Sequence, residues 1–133
     1  MLKMEVAGGR VRLVWARNVY VSGFGIVEDR PAAMEVSGDG HWVYIAIHTV
    51  DSANNEFMRW VKMSAIDGSI KLAKGSYSGS TFERPNRKYS SFLSFDNTEW
   101  WIPIQRKLTP TNTWTAAIIK LDTNLDVIKY HFI

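Results

Sequence analysis

The stretch Lys62 to Leu72, KMSAIDGSIKL, reads as a β-hairpin. A short apolar run leads into Asp67-Gly68, and a second run then alternates apolar and polar residues. Asp-Gly between alternating runs is a strong short-range hairpin signal, because a tight two-residue turn needs positive φ. The pattern recurs 59 residues earlier as KMEVAGGRVRL, Lys3 to Leu13. It recurs again 58 residues later as KLDTNLDVIKY, Lys120 to Tyr130. Lys3, Lys62 and Lys120 then coincide, as do Met4, Met63 and Leu121. On the second arm the alignment sets Val11 and Leu13 beside Ile70 and Leu72, and Ile128 and Lys129 beside Ile70 and Lys71. Two nearly equal spacings point to a repeated unit.

Working outward, residues 33–74 and 91–132 follow one order: short strand, turn, long apolar strand, polar loop, strand, tight turn, strand. Asp39 falls on Asp96, and Tyr44-Ile45 on Trp101-Ile102, at a spacing of 57. His41 to Val50, HWVYIAIHTV, is apolar at successive positions, as a strand covered on both faces should be. Glu99 to Lys107 is its counterpart, with Pro103 where Ala46 stands. Proline cannot donate to a ladder, so a bulge or an early strand end is expected there. Residues 19–27 read as irregular extended chain and 28–31 as a connection ended by Pro31. Gly75 to Lys88 reads as the longest connection, rich in glycine, serine and proline. No segment carries a helical apolar stripe, so the expected class is all-β.

Composition bounds the rest. The 133 residues suffice for one core, with six Trp, six Phe and five Tyr favouring strands and large packed surfaces. A net charge of +3, scattered along the chain, lacks the dense basic stripe of a nucleic-acid binder. With no cysteine there is neither disulfide nor thiolate metal site. No apolar run is long enough for a spanning helix, and no apolar leader core follows Lys3. The histidines 41, 48 and 131 lack metal-ligand spacing, so no metal and no cofactor are expected. Asp39, Asp67, Asp96 and Asp126 sit at turns, where turn chemistry accounts for them. There is no G-x-S-x-G, and Gly23-Phe24-Gly25 does not open a helix. Trp100 and Trp101 are adjacent, so in a strand they point to opposite faces and cannot form one platform.

The K-[LM]-x-x-x-x-G-x-[IV] hairpin, with Asp126 at the glycine position of the last copy, and the four-strand order resemble the blades of β-propellers of the bacterial and bacteriophage surface type. The resemblance covers about two blades and part of a third. It implies antiparallel four-stranded blades, about 2.5 in this chain: a partial blade and connection at 1–32 (hairpin 2–16), a blade at 33–74, a connecting loop at 75–90 and a blade at 91–133. Propellers close with about four blades or more. A chain starting in mid-blade therefore implies other protein chains completing the ring, by homo-oligomerisation or within a larger assembly. The alternative architecture is a β-sandwich.

The resemblance implies a non-enzymatic scaffold or binding module in a virion, as a bacteriophage tail or host-attachment protein. The alternative is an extracellular or cell-surface lectin that binds carbohydrate, such as a host-surface glycan, after oligomerising. In a blade, the loop joining repeats shares a rim with residues 51–56 and 108–112. Arg84, Asn86, Arg87, Lys88, Asn54 and Asn112 are the binding candidates on that rim. An enzyme reading, as a propeller glycosidase, would put its weight on Asp96 or Glu99.

Overall fold

The computed structural model describes residues 1–16, 26–76, 81–86, 91–94, 96–108 and 113–133. Among them the chain is all-β, with antiparallel pairings and no helix. Strands β1 (Leu2–Ala7) and β2 (Arg10–Ala16) form a hairpin. Strands β3 (Ile26–Val36), β4 (Trp42–Asp51), β5 (Glu56–Ser64) and β6 (Ile70–Gly75) form the first sheet, in chain order. In the second sheet, β9 (Glu99–Leu108), β10 (Trp114–Asp122) and β11 (Val127–Phe132) follow one another the same way. Its first position is shared by β7 (Thr81–Pro85) and β8 (Phe92–Leu93), which both pair with β9.

The three hairpins match at one detail of backbone geometry. The ladder register shifts at Lys3/Met4, at Lys62/Met63 and at Lys120/Leu121. Met4, Met63 and Leu121 face Leu13, Ile70 and Val127. The first-arm alignment read from sequence therefore stands. The second arm is displaced, because the three turns differ in length. Leu13 takes the place of Ile70 where Val11 was expected, and Val127 takes it where Ile128 was. The two-residue turn is at Gly8-Gly9, both at positive φ. Asp67-Gly68 lies in a longer connection, with Gly68 at φ 72 and its N–H bonded to the Ser64 carbonyl.

The two sheets also share their other turns. Ser37 and Ser94 each accept from a backbone N–H five residues on, and each donates its hydroxyl to the aspartate two residues on. Asp39 and Asp96 in turn accept the N–H of His41 and Thr98. Gly40 and Asn97 take the positive φ this turn requires.

Three boundaries differ from the sequence reading. The first sheet runs from residue 26 to 75, because the supposed connection at 28–31 is part of β3. Pro31 is tolerated there because β3 is an edge strand with a register shift beside the proline. The supposed connecting loop at 75–90 contains β7, again ended by a proline on an edge strand. Pro103 neither bulges β9 nor ends it: its ladder with β10 is unbroken from Trp114↔Lys107 to Asp122↔Glu99. The break lies in the neighbouring strand. The Pro103 carbonyl accepts from Asn86 N–H, and a residue's N–H and C=O share one side of a strand, so the missing donor faces the gap between β7 and β8. The first sheet yields at the same height, with its shift between Pro31 and Ala33.

Two apolar clusters stack the units. Trp15 of the hairpin joins Val43, Ile45, Ile47, Val61 and Met63 on the back of the first sheet. The front of that sheet, with Tyr44, Ala46, Met58 and Trp60, packs on Trp100, Ile102, Ile104, Ala117, Ile119 and Leu121 of the second. Burial of β4 is nearly continuous, as its unbroken apolar run requires. A spacing of 57 maps Tyr44 and Ala46 onto Trp101 and Pro103, which lie on the opposite face of the second sheet from Trp100, Ile102 and Ile104. The units therefore stack front to back, like successive copies of one layer.

Candidate binding cleft between the first strands

Pairing of β7 with β9 carries Arg84 and Pro85 to the edge of the second sheet, beside β5 of the first. A cleft of about 430 Å³ opens there, lined by Arg30, His48, Glu56, Arg84, Asn86 and Gln105 among others. Glu56 is its acid: Oε1 lies 3.1 Å from His48 Nε2 and Oε2 lies 3.8 Å from Arg84 Nη1. Arg84 Nε donates to Gln105 Oε1 at 2.7 Å, and its guanidinium lies 4.1 Å from the centre of the Trp114 ring. Arg84 thus bridges the first residue of β5, the middle of β9 and the first residue of β10. The cleft offers cationic donors beside carboxylate and amide oxygens, suited to a polar ligand or a polar segment of a partner.

Of the residues singled out by sequence, Arg84 and Asn86 meet in this cleft. Arg84 is a strand residue, not a loop residue, because β7 extends through it. Asn54 is exposed at positive φ in the turn that leads to Glu56. Arg87, Lys88 and Asn112 lie outside the described residues. Sequence reasoning missed Arg30, His48, Glu56 and Gln105. A signal was present: Asp29-Arg30-Pro31 and Glu83-Arg84-Pro85 are one motif, occupying equivalent places opposite Thr49-His48-Ile47 and Arg106-Gln105-Ile104.

The acids of that motif are both paired, Asp29 half-buried and Glu83 fully buried. Asp29 accepts from Thr49 Oγ1 at 2.6 Å and from Arg59 Nη2 at 2.5 Å. Glu83 is fully buried between the sheets, accepting the Tyr130 hydroxyl at 2.8 Å, with Arg106 Nε 3.3 Å away. Desolvation pushes the Glu83 carboxyl above the usual carboxylate range, against the pull of Tyr130, Ser76 and Arg106. Burial, then the charge of Glu83, raises the Tyr130 phenol. These acids hold strands together and do not face the cleft chemistry.

The carboxylates considered for catalysis are similarly engaged. Asp96 is held down to about 2 by the hydroxyls of Ser94 and Thr98 and the Thr98 N–H. Glu99 accepts from Trp101 Nε1 and Lys120 Nζ, each at 3.2 Å. Among the described residues no cluster of three or more His, Asp or Glu could hold a metal ion. The tryptophans are also occupied. Trp60 and Trp100 are buried, on opposite sides of the sheet interface, and Trp101 is stacked between Phe92 and His131. Among the described residues no helix is long and apolar enough to cross a membrane.

Comparison with protein-family models, with curated proteins and with solved structures finds no match.

Proposed function

We propose that this chain is a segment of a β-propeller, working without catalysis as a structural scaffold and binding module. The observation that carries the reading is the front-to-back stacking of successive antiparallel layers: a hairpin, a four-stranded sheet and a five-stranded sheet. It is tied at each interface by the same contact: Lys3 Nζ donates to the Ala65 carbonyl at 2.5 Å, and Lys62 Nζ to the Thr123 carbonyl at 3.0 Å. Ala65 and Thr123 are equivalent turn residues, 58 positions apart. Each layer thus bonds to the next in one register, which is how blades succeed one another around an axis.

The setting we propose is a bacteriophage virion, in a tail or host-attachment structure, where such a scaffold would hold its cleft toward a host surface. Labelling purified particles with an antibody raised against this chain tests it. Label on tails or fibres supports the assignment, and particles free of the chain overturn it. Carbohydrate binding is the second reading, favoured by the donors and acceptors of Arg84, Asn86, Gln105 and Glu56 in one cleft. Glycan-array binding that is lost in Arg84→Ala would support it; an array without signal would remove it.

A further inference from the structure

The chain builds one interface twice and carries both unmatched halves of a third. On the back of the second sheet, Ile119 and Leu121 are buried against the first sheet, and on the back of the first, Val61 and Met63 are buried beneath the hairpin cluster. The spacing of 59 places Leu2, Met4 and Val6 of the hairpin where Val61, Met63 and Ala65 stand. These three are 63%, 56% and 74% exposed. At the other end, the front of the second sheet presents Trp101, Ile118 and Lys120, the equivalents of Tyr44, Trp60 and Lys62. Tyr44 and Trp60 are buried, whereas Trp101 and Ile118 are only half-buried, with Phe92 beside Trp101 50% exposed. Lys120 Nζ lies 5.0 Å from the centre of the Trp101 ring, as Lys62 Nζ lies 5.6 Å from that of the equivalent Tyr44. Among the described residues the Lys120 head bonds Glu99 of its own sheet and no turn carbonyl of a following layer, unlike Lys3 and Lys62.

We propose that the hairpin of a second copy of this chain stacks on the front of the second sheet, with Lys120 Nζ donating to the partner copy's Val6 carbonyl. This deepens the stacked-layer reading and rests on it. The occupant is a second copy because the hairpin's exposed back carries, in Leu2, Met4 and Val6, the counterparts of Val61, Met63 and Ala65 and of Ile119 and Leu121, the part of the covering surface that the β5 and β10 arms supply inside the chain. Such a contact is heterologous, using different patches on the two copies, so it builds a closed ring or an open filament and not a two-fold dimer. Exposed apolar faces of this kind mark interaction surfaces.

The test is light scattering of the full chain from about 1 μM to about 1 mM, with circular dichroism on each sample. The mass of the unmodified chain should rise with concentration. Met4→Arg and Ile118→Arg should each be monomeric. A 1:1 mixture should give a dimer and nothing larger, since each variant keeps the half that the other lacks. Lys120→Met, which keeps an apolar side chain and removes the cross-layer bond together with the ammonium's contact with Glu99, should weaken association about tenfold. A chain that stays monomeric, a mixture that stays monomeric, or single variants that still self-associate would overturn the proposal. Should an arginine variant not fold, cysteine trapping replaces it. In this cysteine-free chain a short bis-maleimide should join Val6→Cys to Lys120→Cys in a mixture and leave either alone uncoupled. Coupling of Val6→Cys to itself would overturn the heterologous contact. Hydrogen exchange on the same samples separates the two levels. A monomer with β4, β5, β9 and β10 protected together removes self-association and leaves the stacked layers standing; without that protection both fall.

Discussion

Tyr130→Phe removes one oxygen and tests a buried link within the second sheet, from β11 to β7, on the face packed against the first. That hydroxyl donates to Glu83 Oε1 at 2.8 Å, and Glu83 has no exposed surface. A hydrogen bond to a charged group contributes about 1.5–3 kcal/mol. For a chain of this size that corresponds to a fall in Tm of roughly 5–15 °C. The loss should depend on pH in a definite sense. The Glu83 carboxyl titrates above its ordinary 4.5 in the folded state. Between that value and its raised folded one, the native state holds a proton that the unfolded chain has released. Stability of the unmodified protein therefore rises as pH falls through this window, and the buried carboxylate costs most above it. Removing its donor hurts the charged form more than the neutral one. The Tyr130→Phe loss should be largest on the alkaline side of the window and shrink on its acid side. In a Glu83→Gln background, where no charge forms, the same change should cost about 0.5–1.5 kcal/mol at every pH, the range of a neutral hydrogen bond. Urea unfolding of the four proteins across pH gives the comparison. A Tyr130→Phe loss equal at both ends of the range, or unchanged by Glu83→Gln, would refute the assignment of the charge to Glu83.

Other expectations follow from the packing and the turns. Trp60→Ala empties the centre of the interface between the sheets, where Trp60 is 1% exposed, and should cost about 3–5 kcal/mol by urea unfolding. Asp67 and Asp96 are both held near 2 against an ordinary 3.8, chiefly by Ser69 N–H and by the Ser94 hydroxyl respectively. Their contribution is complete above the ordinary value and is lost as pH falls toward 2, opposite in sense to that of Glu83. Asp96→Asn should accordingly flatten the acid limb of a stability–pH profile. Gly40 has open space where a Cβ would go but a φ of 73, so only its backbone conformation resists substitution. Gly40→Val should cost about 1–2 kcal/mol in thermal unfolding, and Gly40→Asn clearly less, because Asn97 already occupies the equivalent place.

The amino-acid sequence by itself determined the strand class, the repeat and the first arm of each hairpin. Alternation, turn residues and the doubly apolar run at 42–47 are local signals, and local signals survive without contacts. The equivalence of Lys3, Lys62 and Lys120 was legible for the same reason. Its meaning was not, since the carbonyl each lysine seeks lies more than 60 residues away in the chain. Pro31 and Pro85 misled the boundaries because proline reads as a break unless the strand is known to be an edge, and edges exist only once strands are ordered. The cleft shows the division most plainly. Arg84 and Asn86 stood out as charge and polarity in a breaker-rich segment. Gln105 came to them by strand pairing, and Glu56, His48 and Arg30 only when β7 was set against the first sheet by the stacking of the two. Tertiary structure also decided which apolar faces are covered and which are left open, because burial is a property of what a surface meets and not of the residues that form it.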